Sequence, residues 1–244
     1  MITTYLRRGI AAGLLAGLLA GLFAFVLGEP SVDGAIEVEE SSAADHHQAE
    51  ASANHAHEEI FSRSTQKAGL IVATSLFGVA AGAIFGMAYA YFRSRLASSS
   101  EWSRSLSLAA AAFCGVFLLP FLKYPANPPG VGSPETIGSR TAEYLLMMVL
   151  SMVVVGLAWY TARDLKERGL STQARQLAVG LGSVFVFGVL FTLLPAGPSP
   201  GEFPAGLLWD FRLAALGTQL IFWTGLGVIF GLLCERSKRR ESWA

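Results

Sequence analysis

The chain has 244 residues, 52% of them hydrophobic and only 15% charged, and its 18 basic and 18 acidic residues balance to zero net charge. That composition is too apolar for an ordinary soluble domain and lacks the cationic excess of a nucleic-acid binder, so it predicts a membrane protein with no nucleic-acid partner. Two isolated cysteines, Cys114 and Cys234, exclude a disulfide framework and a CxxC metal site.

A helix needs about 20 apolar residues to cross the roughly 30 Å hydrocarbon layer. Six segments satisfy this, at approximately 8–28, 68–92, 105–122, 141–160, 176–194 and 212–233. The fifth is the shortest, which leaves five spans as an alternative. The expected fold is all-α: a polytopic bundle of about six transmembrane helices forming one membrane domain over 1–244, with three helical hairpins as a weak internal repeat. Arg7 and Arg8 precede the first apolar run as in a signal peptide, but no small-x-small cleavage site stands before Glu29, so the segment is read as a retained helix. Its Gly9, Gly13, Gly17 and Gly21 recur every four residues, the spacing that lets two helix backbones approach closely in lipid.

Residues 29–67 are expected to form an acidic loop. Nine carboxylates and no Lys or Arg lie between Glu29 and Ser62, and the stretch DHHQAEASANHAHEE holds His46, His47, His55 and His57, every histidine in the chain. Neutral imidazole is a borderline ligand for cobalt, nickel, zinc and copper, and carboxylates can complete a shell. The spacing is not that of a preformed site such as HExxH, and the Ala, Ser and Glu content predicts a largely disordered segment. It reads either as a loose capture site for a divalent metal or as a solvated linker. A mechanism needing a histidine base inside the bundle would have to recruit one from this loop, which weighs against an enzyme.

The second span carries its own ridge of Gly78, Gly82 and Gly86, and Gly227 and Gly231 extend the pattern to the last. Packing within the bundle is the first reading, with homo-oligomerisation left open. Each returning helix begins beside an arginine: Arg63, Arg140 and Arg212. Two outgoing helices end alike, in FLLP at Phe117 to Pro120 and FTLLP at Phe191 to Pro195. The N-terminus, the Arg93 to Arg104 loop, the Arg163 to Arg175 loop and the C-terminus carry 13 of the 18 basic residues. Cationic flanks stay inside, so both termini are expected in the cytoplasm and the histidine loop outside. All ten prolines fall at the opposite ends of the helices, which predicts rigid caps there.

An outer arginine at a helix start opposes both the positive-inside bias and the helix dipole, and nearby acids should compensate it. Glu29, Glu135, Glu143 and Asp210 are placed to do so. One reading makes these interfacial ion pairs that lock hairpins. The other makes Glu29, Asn127, Glu135 and Asp210, with Arg63, Arg140 and Arg212, an outer vestibule that attracts cations.

The runs GEPSVDGAIEVEE, FSRSTQKAGL, FLKYPANPPGVGSPETIGSRTAEYL and FPAGLLWDFRLAALGTQL resemble the CbtA family of proposed cobalt transporter subunits associated with cobalamin synthesis. The resemblance spans nearly the whole chain and is most specific between Lys123 and Arg140. It implies a multi-pass protein of the bacterial cytoplasmic membrane that takes up Co²⁺ and holds no permanent cofactor. It also implies a small single-helix, histidine-bearing subunit, CbtB, as partner. The ligand set alone leaves Ni²⁺ or Zn²⁺ as alternatives. No GxxxxGK[ST] motif occurs, so the chain does not bind ATP through a Walker A loop. A structural or assembly protein of the membrane is the competing reading, and a membrane-embedded enzyme a third.

Overall fold

The computed structural model describes residues 2–47, 62–96, 98 and 100–241. It is all-helical, with no strand among the described residues. Helix α1 (Ile2–Phe23) passes through a π turn (Ala24–Gly28) into α2 (Glu29–His47); α3 spans Arg63–Phe92. Helix α4 (Glu101–Ala112) passes through a second π turn (Phe113–Leu118) into the short α5 (Leu119–Lys123). A 3₁₀ turn (Pro134–Thr136) leads into α6 (Ile137–Glu167), followed by α7 (Thr172–Leu193) and α8 (Ala205–Glu241). Six of the resulting segments are long and apolar enough to cross a membrane. The fifth expected span is among them, so the count is six rather than five.

Two π turns share one cause. Each ends two residues before a proline, Pro30 in the first case and Pro120 in the second. Proline inside a helix offers no N–H and pushes against the carbonyl one turn back. Widening the preceding turn to i→i+5 bonding relieves that contact, with the Glu29 N–H reaching Ala24 O and the Leu119 N–H reaching Cys114 O. The helix therefore continues through the proline. FLLP and FTLLP, expected to end their helices alike, do not: α5 runs past Pro120 to Lys123, whereas α7 stops at Leu193 and Leu194 turns extended before Pro195.

The same device explains the largest departure from expectation. Residues 29–47, read as loop, continue α1 as helix, and Arg63 already belongs to α3. Past Pro30 the segment is rich in Ala and Glu, which hold a helix without an apolar stripe, so hydropathy gave no sign of it.

The described chain forms two compact units. In unit 1 (1–110, 126–131 and 201–244) α1 is the central helix, packed on α3 and α8. Its sequence is inverted relative to a soluble helix: Gly9, Ala12, Gly13, Ala16, Gly17, Ala20 and Gly21 are buried, while Leu14, Leu15, Leu18, Leu19 and Leu22 are 45 to 54% exposed. Small residues inside and leucines outside are what lipid as solvent selects. The two glycine ridges meet each other antiparallel within one chain. A Cβ added at Gly13 would stand 2.8 Å from the Gly82 Cα, and one added at Gly9 3.1 Å from the Gly86 Cα. On α8, Gly225 lies against Ala16, Gly227 against Ala109 and Gly231 against Trp102. Ser105 donates to the Gly227 carbonyl at 2.7 Å, fixing α4 to α8.

In unit 2 (111–125 and 132–200) the second π turn packs on α6, with Gly115 close to Met152, and α7 packs chiefly on α6. At its far end Lys123 Nζ donates to Phe191 O at 2.7 Å and Tyr124 Oη to Pro195 O at 3.0 Å. No residue of α7 is buried.

Candidate functional site

All three arginines at the starts of returning helices are engaged, each differently. Arg63 donates to Glu29 Oε2 at 2.9 Å and through two nitrogens to Asp33 Oδ1, and Lys67 Nζ reaches Asp33 Oδ2 at 2.6 Å. Because α2 continues the first helix as a helix, these contacts tie α2 to α3 along one flank. Arg140 donates to the Ser133 carbonyl at 3.2 Å and the Thr136 carbonyl at 3.4 Å, so its own loop wraps it. Gly132, at φ +90°, makes that wrap feasible, since a Cβ there would meet the guanidinium at 2.5 Å. Arg212 donates to Ala126 O at 3.3 Å and Asn127 Oδ1 at 2.9 Å, holding the proline-rich 126–131 segment onto α8.

These contacts divide the expected vestibule. Glu29 and Asn127 are engaged by Arg63 and Arg212. Glu135 sits exposed on the 3₁₀ turn of unit 2. Asp210 makes no ion pair among the described residues, although Arg212 lies two positions away with its guanidinium turned to the 126–131 segment. It is itself exposed and lines an open cavity of about 470 Å³ in unit 1, between the first π turn and the start of α8. Ser31 is the other polar side chain on the wall, and Phe23, Val26, Leu27 and Leu213 supply apolar surface. Pro30 also lines it.

His46 and His47 close α2, but their side chains lie outside the described residues, as do His55 and His57 altogether. Among the described residues no group of three or more His, Cys, Asp or Glu stands close enough to hold a metal ion.

The opposite end of unit 1 carries a cluster that sequence reading missed. Glu101, 2% exposed at the start of α4, accepts from the Tyr89 hydroxyl, from Arg93 Nη2 at 3.2 Å and from Arg104 Nη1 at 3.2 Å. Tyr5 of α1 lies beneath both Arg8 and Arg93, with ring-to-guanidinium distances of 5.7 and 5.2 Å. Burial works against the Arg93 cation, but Tyr5 and Glu101 more than offset it and raise its pKa above the ordinary value. Glu235 of α8 accepts from Ser100 Oγ at 2.8 Å. Side chains of α1, α3, α4 and α8 therefore crowd this end around one buried carboxylate. The available signal was that Glu101 is the lone acid between Glu59 and Glu135, set among Arg93, Arg95 and Arg104.

Six membrane-length helices, small residues buried and leucines facing out define a multi-pass helical membrane protein. The model of the family described as probable cobalt transporter subunit (CbtA) matches residues 2–235, and the chain belongs to that family. No curated protein and no solved structure matches the chain.

Proposed function

We propose that the chain is the bundle-forming subunit of a Co²⁺ uptake system in the bacterial cytoplasmic membrane, and that it acts as a conduit rather than an enzyme. Its basic end faces the cytoplasm. On the outside, His46, His47, His55 and His57 with neighbouring acids gather the ion, and α2 leads from that segment to the Asp210 cavity. The observation that carries this reading is the Asp210 carboxylate, which makes no ion pair among the described residues and lines an open cavity at the end of the bundle from which α2 departs. Glu29 and Asn127 hold the mouth together through Arg63 and Arg212 instead of binding the ion themselves.

An inward-negative membrane potential favours this direction, at about 2.3 kcal/mol per charge per 100 mV. A dication therefore gains roughly 4 to 5 kcal/mol by entering, and no nucleotide site is needed on this chain. With few ligands in the bundle, a small single-helix subunit bearing histidines supplies the remainder. Exposed positions such as Leu177, Leu181, Val184 and Phe185 leave α7 open to lipid or to such a helix. No tightly bound metal is retained, because a transport site must release its ion onward.

The test is cellular ⁵⁷Co accumulation at limiting metal. Replacing the four histidines with alanine lowers uptake severalfold at low cobalt and little at saturating cobalt, the signature of lost capture. Asp210→Asn lowers it at both. Wild-type accumulation in both variants would leave an assembly role as the surviving reading. Competition by Ni²⁺ and Zn²⁺ in the same assay identifies the preferred metal.

A further inference from the structure

We infer that the Asp210 cavity is a subsite for a hydrated divalent cation, holding the ion through its water shell rather than by direct ligation. The inference rests on the transport reading above and specifies the form in which the ion is held there.

Ligand count is the first argument. A small dication stripped of water needs about six oxygen or nitrogen donors at roughly 2.1 Å. The cavity wall offers one carboxylate, from Asp210, and one hydroxyl, from Ser31. The rest is apolar, and no grouping of three or more His, Cys, Asp or Glu able to hold a metal exists among the described residues. Dehydration here would go uncompensated, and small dications dehydrate reluctantly.

Volume is the second. Six waters at about 30 Å³ each occupy roughly 180 Å³, and the cavity of about 470 Å³ admits such a shell with space to spare.

The third argument is the kind of polar group present. The Asp210 carboxylate and the Ser31 hydroxyl both accept hydrogen bonds, which is what the outward-pointing hydrogens of an aqua ion require. Asp210 supplies the negative charge, and no described cation neutralises it because Arg212 is directed at Ala126 and Asn127. Such a site reads charge and size but not ligand softness, so discrimination between cobalt and other dications falls to the histidine segment upstream.

The probe is hexaamminecobalt(III), a substitution-inert complex close in size to a hydrated dication that can bind only through its ammine shell. In ⁵⁷Co²⁺ uptake by cells carrying the full chain, externally added complex inhibits competitively; Asp210→Asn raises its inhibition constant tenfold or more, and Asp210→Glu restores it. Equilibrium dialysis of the purified, detergent-solubilised chain at physiological salt gives a readout independent of transport. There the wild type binds one more equivalent of the complex than Asp210→Asn, with both eluting as folded protein. Equal binding by the two, or normal Co²⁺ uptake that a hundredfold excess of the complex leaves untouched, overturns the hydrated-ion subsite. Absence of Co²⁺ uptake in the wild type, with the Asp210-dependent binding intact, overturns the transport reading alone.

Discussion

At the scale of the residue, the charges that look anomalous in the sequence turn out to be fasteners. Arg63 opens α3, where the helix dipole disfavours a cation, while Arg140 and Arg212 lie further along α6 and α8, and each is engaged by acceptors within reach. Arg212 binds a carbonyl and an amide oxygen together, which suits a planar fork better than a point charge. Arg212→Lys is therefore expected to loosen the 126–131 segment, read as faster limited proteolysis there with unfolding temperature little changed; equal cleavage of wild type and variant would show that the clamp is incidental. Glu101 is the stronger case, since removing one partner of a buried ion network leaves the others uncompensated. Glu101→Ala removes the acceptor of Arg93 Nη2, Arg104 Nη1 and the Tyr89 hydroxyl, and because both arginines keep partial access to solvent the loss falls toward the lower end of the about 3 to 5 kcal/mol measured for buried pairs. Glu101→Gln keeps the Tyr89 contact and loses less. Thermal unfolding in detergent ranks the three, and an alanine variant as stable as wild type refutes the assignment.

At the scale of the element, how much was readable depended on which physical signal was local. Apolar windows and four-residue glycine spacing depend only on neighbours in sequence, so six spans and two ridges were legible. That the ridges face each other inside one chain was implicit in their being antiparallel neighbours joined by one connection. Helix α2 was not legible, because an acidic extramembrane helix leaves no hydropathy mark and Pro30 reads as a stop unless the π turn before it is known. Nor were the partners of the arginines: Asn127 and Arg212 are 85 residues apart, and nothing periodic connects them. The glycine contact makes a contrast that can be measured. Gly13→Leu drives a side chain into the backbone of α3, whereas a Cβ added at Gly180 on α7 meets nothing within 4 Å. Overpacking typically costs about 1 to 3 kcal/mol and more where backbone must move. Gly13→Leu is expected to abolish or sharply reduce folded yield, with Gly180→Leu near wild type; similar yields would place the ridges apart in the membrane.

At the scale of the whole molecule, the sidedness of the bundle decides whether the cavity can load. Within unit 1 the starts of α1 and α4 and the ends of α3 and α8 share one end, where Glu101 and its arginines lie; the start of α8 and the α1–α2 passage share the other, where the Asp210 cavity opens. The basic residues concentrate at the first end, and cationic flanks are retained on the cytoplasmic side at synthesis. The described carboxylates of α2, from Glu29 to Glu40, lie beyond the second end, where they raise the local concentration of cations before any specific ligand acts. Capture, cavity and membrane potential then act in series only if that second end is outside. Cysteine labelling settles the point. With Cys114 and Cys234 replaced by alanine, a single cysteine at Glu37 or Ser199 should react with a membrane-impermeant maleimide in intact cells, and one at Ser237 or Glu167 only after permeabilisation. The reverse pattern would put both the histidines and Asp210 on the cytoplasmic side, where they could receive an ion but not admit one, and the bundle would have to be read as an exporter or as a scaffold.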